Sequence, residues 1–494
     1  MKDVPNGEAL LIHPPYVHYE GDFMRDPSPF LPVGLLYAGE MLERSGSARV
    51  AYHDFQLRDL NGKYVEGYDS FGITVMGTQN IAPAHQVYGS LVGRGVDPSK
   101  ISVGGQGVEG LSQEEFERVF PGANQTSRGS LMGSPSYWNA DLRKQIGKFS
   151  DQDLRTYLGS ELTLLVSQGC LFSCTFCGAQ TRQPETFYNT RDNLDYLLER
   201  ARGLGLEGLA FYCTSLDFFQ QALKGGDIRK LERVLKDIAA LKDRHGITVR
   251  LRALTRADSY LEATESQELL NLVKAAGFTT LGFGADGAAN IALLRAIRKG
   301  TGNLGYQLLR AFEHAEESGF VPEILYVFGI PEDTEETLQQ TRDLCADLLR
   351  RFPTSVYRGF PAKNWIPGNP NWREDQQWRG SPAQGKLLSD PSLFLNLGFE
   401  ALANPLSHPN PQARKLTNKY AIEMSLQAHK LGRVQSFLTV PIMETDGHEL
   451  MDEGSFEALR EIISNYAPDI APHLTLENLS EYRKELNRRI PKDK

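Results

Sequence analysis

Cysteine is scarce: five in 494 residues, an odd number. That excludes a secreted disulfide framework and points to a reducing compartment, the cytoplasm. The opening stretch MKDVPNGEALLIHPP lacks the apolar region of a signal peptide. No run approaches the roughly 18 apolar residues that a membrane span needs, so none is expected. A net charge of −9 without a long basic run argues against an extended nucleic-acid surface. Internal repeats and low-complexity tracts are also missing. With 40% apolar and 23% charged residues, the composition is that of a globular protein large enough to bury its own core. A small-molecule or peptide substrate is the remaining default.

The pattern itself is an alternation of strands and helices. EALLIHPP (8–15), ARVAYHDF (48–55), SFGITVMG (70–77) and KISVGG (100–105) read as strands, with helical spacing in VGLLYAGEMLERSG (33–46) and APAHQVYGSLVGRG. This predicts an α/β domain over 1–135, a doubly wound Rossmann-like sheet that binds ligands beyond its carboxyl ends. Residues 136–159 read as linker, within a Gly-, Ser- and Asn-rich stretch. From 160 to 370, six strand–helix repeats begin with ELTLLVSQ and end with SVYRGF. That is short of the about 250 residues of a closed eight-fold barrel, and it suits a partial (β/α)6 TIM-like barrel. A capping box Thr264-x-x-Gln267 opens one of its helices. Residues 371–494 read as a mostly helical, substrate-covering C-terminal region.

Three of the cysteines fall within eight residues: Cys170-x3-Cys174-x2-Cys177, directly after the first barrel strand. Thiolates so spaced bind soft metals or iron–sulfur clusters. Structural zinc wants a fourth ligand, yet no histidine lies between His85 and His245. Three thiols therefore suit a cluster with one iron open to an outside ligand. The glycine pattern GFGADG (282–287) matches a dinucleotide fingerprint in letters, but the following strand lacks its closing acid. His13, His18, His53 and His408 have no ligand-like spacing to a partner and read as packed or solvated.

Motif and context together resemble the radical S-adenosylmethionine (SAM) superfamily, over about residues 160–370, with Phe176 as the aromatic residue before the last cysteine. The resemblance implies a [4Fe–4S] cluster on Cys170, Cys174 and Cys177. Its open iron chelates SAM, and one-electron cleavage gives a 5′-deoxyadenosyl radical that abstracts hydrogen from the substrate. An external electron donor such as a flavodoxin or ferredoxin is implied as partner. The same resemblance assigns Thr214, Ser215 and Asp217 of CTSLDF to the methionine ammonium, although the commoner Gly-Gly-Glu is absent. It assigns Arg256 to the methionine carboxylate, Asp286 to the ribose, and the backbone at Gly329, Ile330 and Pro331 to the adenine. Cys213 is the candidate thiol that returns a hydrogen atom, and Cys345 reads as packing.

The N-terminal part is similar to the cobalamin-binding domain of a large radical SAM subgroup, through Pro14–Pro15, Gly34–Leu35 and Gly104–Gly105. The resemblance implies a cobalamin cradle at Thr78, Gln79, Gly104, Gly105 and Gln106. It departs from that pattern in lacking Asp-x-His-x-x-Gly and the acidic final turn. A cobalamin-dependent C-methylation, in specialised metabolism, is the leading expectation. A cobalamin-independent lyase, dehydratase, epimerase or reductase, on a small molecule such as a sugar, is the second. A non-catalytic iron–sulfur sensor or electron carrier is the third. Methylthiotransferases fit poorly, since residues 1–169 hold no cysteine.

Overall fold

A computed structural model describes residues 7–15, 17–19, 22–24, 30–58, 67–126, 137, 139–177, 185–300, 302–362, 364–367, 369–376, 378–397, 408–433 and parts of 456–485. The N-terminal sheet starts with β1 (Glu8–His13), followed by a small hairpin of β2 (Val17–Tyr19) and β3 (Asp22–Met24). It continues with β4 (Arg49–Asp54), β5 (Ser70–Thr74), β6 (Ile101–Gly104) and β7 (Asn124–Thr126). The order is β4-β1-β5-β6-β7, with every pair parallel. From Ala9 to His13, β1 is buried without interruption, as a central parallel strand covered on both faces must be. Ala9 and Leu11 pack with Leu35 of the helix Val33–Arg44. Leu10 and Ile12 face the other way, into a core with Ile81, Val87 and Phe116. Strand order reverses between β1 and β5, which puts the ligand-binding crevice of such sheets at their carboxyl ends.

The barrel strands are β8 (Glu161–Leu165), β11 (Gly208–Thr214), β12 (Thr248–Thr255), β13 (Phe278–Gly284), β14 (Val321–Phe328) and β15 (Val356–Pro361); the short β9 (Ser167–Gln168) and β10 (Thr186–Phe187) pair antiparallel beside them. The six strands lie in chain order, all parallel and open at β8 and β15. Their helices are built from single apolar stripes. Ile228–His245 buries Leu231, Leu235, Ile238 and Leu241 and ends on left-handed Gly246. The box expected at Thr264 is shifted. Thr264 closes the helix Ala257–Thr264, and Ser266 caps the next, accepting from Leu269 N–H.

Inside the barrel, Arg252 of β12 reaches Glu161 of β8 (2.9 Å) and Glu323 of β14 (3.2 Å), and Arg358 of β15 also meets Glu323. Contacts that skip neighbouring strands exist only on the concave face, so this chain of charges marks the interior. Glu323 is fully buried, and removing it would take this carboxylate from Arg358 and leave Arg252 with Glu161 alone.

The expected linker, 136–159, carries the helices Arg143–Ile146 and Asp151–Leu158 among its described residues. Ser150 caps the second, with Asp151 and Asp153 in its first turn, so local capping outweighs the polar composition. Tyr157 of that helix donates to buried Asp54 of β4, which also meets His13 at 3.2 Å. This ties the two sheets together.

The region 371–494 divides between two places. Trp372, Trp378, Leu387, Leu393 and Phe394 join Trp365 in the core of the N-terminal sheet. Trp372 Nε1 and Gln384 Nε2 both donate to Glu115 there. The helix Pro411–Lys430 returns to the barrel, with Ala413, Ala421, Met424 and Ala428 in the barrel core. It packs against β15 and the helix Glu335–Arg351. No helix among the described residues is long and apolar enough to cross a membrane.

Candidate active site

The cysteine loop leaves β9 at Gly169, whose φ of +108° suits glycine. Three strand ends hold the loop. Gln220, beyond β11, donates from Nε2 to the Gly169 carbonyl (3.1 Å) and accepts from Leu171 N–H (3.2 Å), so it brackets Cys170. Thr175 N–H donates to the Ile297 carbonyl beyond β13 (3.1 Å). Thr175 Oγ1 donates to Glu332 beyond β14 (2.8 Å). Phe176 packs against Leu293, Ile297, Ile330 and Ala362. Cys170, Cys174 and Cys177 are half-exposed, whereas Cys213 and Cys345 are buried.

Burial pushes the Cys170 thiol up to about 11, with Asp217 and the other two thiols adding to it against the Phe172 N–H. Burial also raises Cys174, opposed by Lys299 and Arg256. Among the described residues no three His, Cys, Asp or Glu side chains form a group able to hold a single metal ion.

The barrel brings the residues expected at the strand ends to this loop, but it occupies many of their polar groups. Thr214 Oγ1 bonds to the Leu164 carbonyl (3.3 Å). Ser215 is buried and turned to Glu185 (3.4 Å). Asp217 is 1% exposed and accepts from Thr255 Oγ1 (2.8 Å), Ser259 Oγ (2.6 Å) and Arg256 N–H (3.2 Å), so it anchors the end of β12. Burial pushes its carboxyl up, against those hydrogen bonds. Arg256 makes a bidentate pair with Asp258 (2.9 and 2.7 Å) and lies 3.8 Å over the Phe172 ring. Its Nη1 is buried without a hydrogen-bond partner among the described residues.

Asp286 accepts from Lys299 Nζ (2.8 Å) and Val327 N–H (2.9 Å), which occupies the carboxylate expected at the ribose. In GFGADG, a Cβ on Gly282 would lie 2.7 Å from Leu254 and 2.9 Å from Leu325, so that glycine serves close strand packing. Gly329, at φ +82°, and Ile330 donate their N–H groups to Asp333 (3.0 and 3.1 Å), and the Gly329 carbonyl accepts from Asn364 (2.9 Å). The backbone expected to back the adenine is therefore largely bonded within the protein, and Pro331 stays half-exposed.

Cys213 departs furthest from expectation. On β11 it shares a face with Leu209 and Phe211, all buried in the helix-covered core. Its neighbour Tyr212 takes the opposite face, where Arg252 lies 4.6 Å over its ring. Strand alternation thus points Cys213 away from the barrel interior. Burial pushes its thiol far up, which keeps it protonated. Its side chain packs in the core, as does that of Cys345.

In the N-terminal domain, Thr78 and Gln79 are buried, and their turn Thr78–Asn80 packs against Pro391–Leu397. Gly104 and Gly105 are half-exposed and Gln106 is exposed. Gly105 has φ +115°, and a Cβ there would come 2.5 Å from the Val75 carbonyl, so the turn needs glycine. Beside it Met76 is exposed, and Leu171 and Leu216 are exposed at the barrel's cysteine end.

Sequence reading missed Gln220, Glu185 and Lys299. Glu185 accepts from Ser167, Ser215 and Gln221 (2.6 Å), and burial raises its carboxyl. Lys299 follows the helix Ile291–Ala296, where Arg298 takes a left-handed φ of +55°. Arg298 N–H then meets the Arg295 carbonyl and Lys299 N–H the Leu294 carbonyl, a Schellman close that turns Lys299 inward. No motif carries these residues; only an Arg-Lys pair where glycine is usual hinted at a built turn.

A six-stranded open barrel with a three-cysteine loop at its carboxyl mouth defines a class, and residues 164–345 match the model of the Radical SAM superfamily. The chain carries a radical SAM domain. Over its whole length it shares the fold of the radical SAM methyltransferase TsrM from Kitasatospora setae, solved with cobalamin and a [4Fe-4S] cluster bound: 13% identity, 97% of this chain and 98% of that one, TM-score 0.54. The cobalamin-dependent SAM radical enzyme OxsB, solved with aqua-cobalamin, matches at 15% identity over 98% of this chain and 71% of that one, TM-score 0.51. No curated protein matches.

Proposed function

We propose that this protein is a radical SAM enzyme that binds cobalamin on its N-terminal domain and methylates an unactivated carbon of a small-molecule or peptide substrate. The observation that carries the reading is the cysteine loop, pinned to three barrel strand ends and offering three half-exposed thiols. Three thiols in one loop suit a four-iron cluster, whose cysteines bind different irons. When bound, the cluster supplies the electron that cleaves SAM and cobalamin supplies the methyl carrier. Cys170, Cys174 and Cys177 would ligate the cluster. Arg256 Nη1, buried and without a hydrogen-bond partner among the described residues, suits a ligand carboxylate. The half-exposed Gly104–Gly105 turn, Gln106 and exposed Met76 suit a broad ring system laid on the sheet edge. The electron would come from an external donor of the flavodoxin or ferredoxin kind.

The burial of Thr78 and Gln79 beneath Pro391–Leu397 favours a second reading, a radical lyase, epimerase or reductase whose N-terminal domain is only a scaffold. One experiment separates them. The protein is reconstituted anaerobically with iron, sulfide and hydroxocobalamin, and its visible spectrum is recorded before incubation with SAM and dithionite. The methylase reading expects about one bound corrin per chain, with S-adenosylhomocysteine beside 5′-deoxyadenosine. Iron–sulfur absorbance without retained corrin would overturn it in favour of the scaffold reading.

A further inference from the structure

We propose that Lys299, together with Arg256, holds fixed positive charge against the Cys174 arm of the loop and so stabilises the more reduced, more negative state of a cluster bound there. The inference rests on the cluster reading above. Both cations are tied to the loop. Arg256 lies 3.8 Å over Phe172, two residues before Cys174. Lys299 ends the turn whose Ile297 carbonyl holds Thr175, the residue after Cys174. Arg256 also reaches the residue after Lys299, since a Cβ on Gly300 would lie 3.6 Å from its Nη2.

Each cation is backed by one carboxylate: Lys299 by Asp286 at 2.8 Å, and Arg256 by Asp258 at 2.7 Å. Asp286 is held on its other oxygen by Val327 N–H of β14 (2.9 Å), whereas the ammonium belongs to the turn that holds Thr175. Lys299 is 5% exposed, so water screens this field little. A buried lysine needs a reason, because burying an ammonium is costly unless it is paired and bonded. Asp286 and the Gly284 carbonyl (2.8 Å) pay that cost, and the Arg298 turn aims the side chain. Three cluster thiolates add negative charge in this spot, and an incoming electron adds more. Charge and hydrogen bonding around a cluster set its potential. Lys299 is thus a positioning residue for charge, distinct from any group that touches substrate.

The test is an EPR-monitored redox titration of the reconstituted full-length protein, without SAM, alongside iron content. K299Q should lower the midpoint potential of the loaded cluster, and K299R should restore it. D286N should raise it, because the lysine charge then loses its counter-charge. A potential unchanged in K299Q, with only cluster loading reduced, would overturn the inference and leave Lys299 a structural residue. Should K299Q hold no cluster, an unchanged potential in D286N overturns it equally, and a raised one supports it. A wild-type chain that binds no cluster overturns the underlying reading, and this inference with it.

Discussion

Asp333 shows what one buried carboxyl does to this site. Burial pushes it up to about 7, against hydrogen bonds from Thr337, Gly329 and Ile330, and Asp286 adds to the rise. The groups around it are the Asp286 carboxylate, Tyr326 on β14 and His408, which lies near the Asp333 backbone ahead of the helix Pro411–Lys430. Folded protein therefore binds this proton more tightly than unfolded chain. The stability it contributes is present below pH 3.8 and is lost as pH rises toward 7. The D333N variant keeps an oxygen for the backbone bonds but carries no charge. It should flatten that slope, gaining roughly 3–4 kcal/mol relative to wild type between pH 4 and 7.5. Urea unfolding at several pH values measures this; parallel curves for the two proteins would sink the account.

At the scale of elements, the close approach of helix Pro411–Lys430 to the end of β14 is the sharpest constraint. Gly329 has φ +82°, and a Cβ on it would run into Thr417 Oγ1 and Cγ2 of that helix. G329A should cost about 2–4 kcal/mol, from left-handed backbone and overpacking together. T417A removes the atoms it would strike, so the double variant should cost clearly less than the sum of the singles. Thermal melts of the four proteins in this cycle decide it, and simple additivity would show that the helix does not press on Gly329.

Much of this scale was legible in the sequence. The barrel strands follow from apolar runs closed by turns, and the cysteine loop from its spacing. Partnerships were not legible. Asp217 and Asp286 look like ligand groups in one dimension, yet in three they are taken by Ser259, Thr255 and Lys299. Cys213 looks reactive until the strand period sets it on the outer face.

For the whole molecule, the path of the chain after β15 decides the architecture. Tryptophans 365, 372 and 378 bind it to the N-terminal sheet, and the helix Pro411–Lys430 brings it back to complete the barrel wall. A tertiary excursion of this kind has no local signature, which is why 371–494 reads only as a helical region. Its consequence is that one stretch of chain after β15 covers first the N-terminal sheet and then the barrel.

The central claim is that this loop carries a four-iron cluster with one iron open to SAM. EPR of the dithionite-reduced, reconstituted protein before and after addition of SAM tests it most directly. The account predicts a reduced-cluster signal that changes on addition of SAM and is lost in C174A. A signal indifferent to SAM, or one that survives unchanged in C174A, would contradict it.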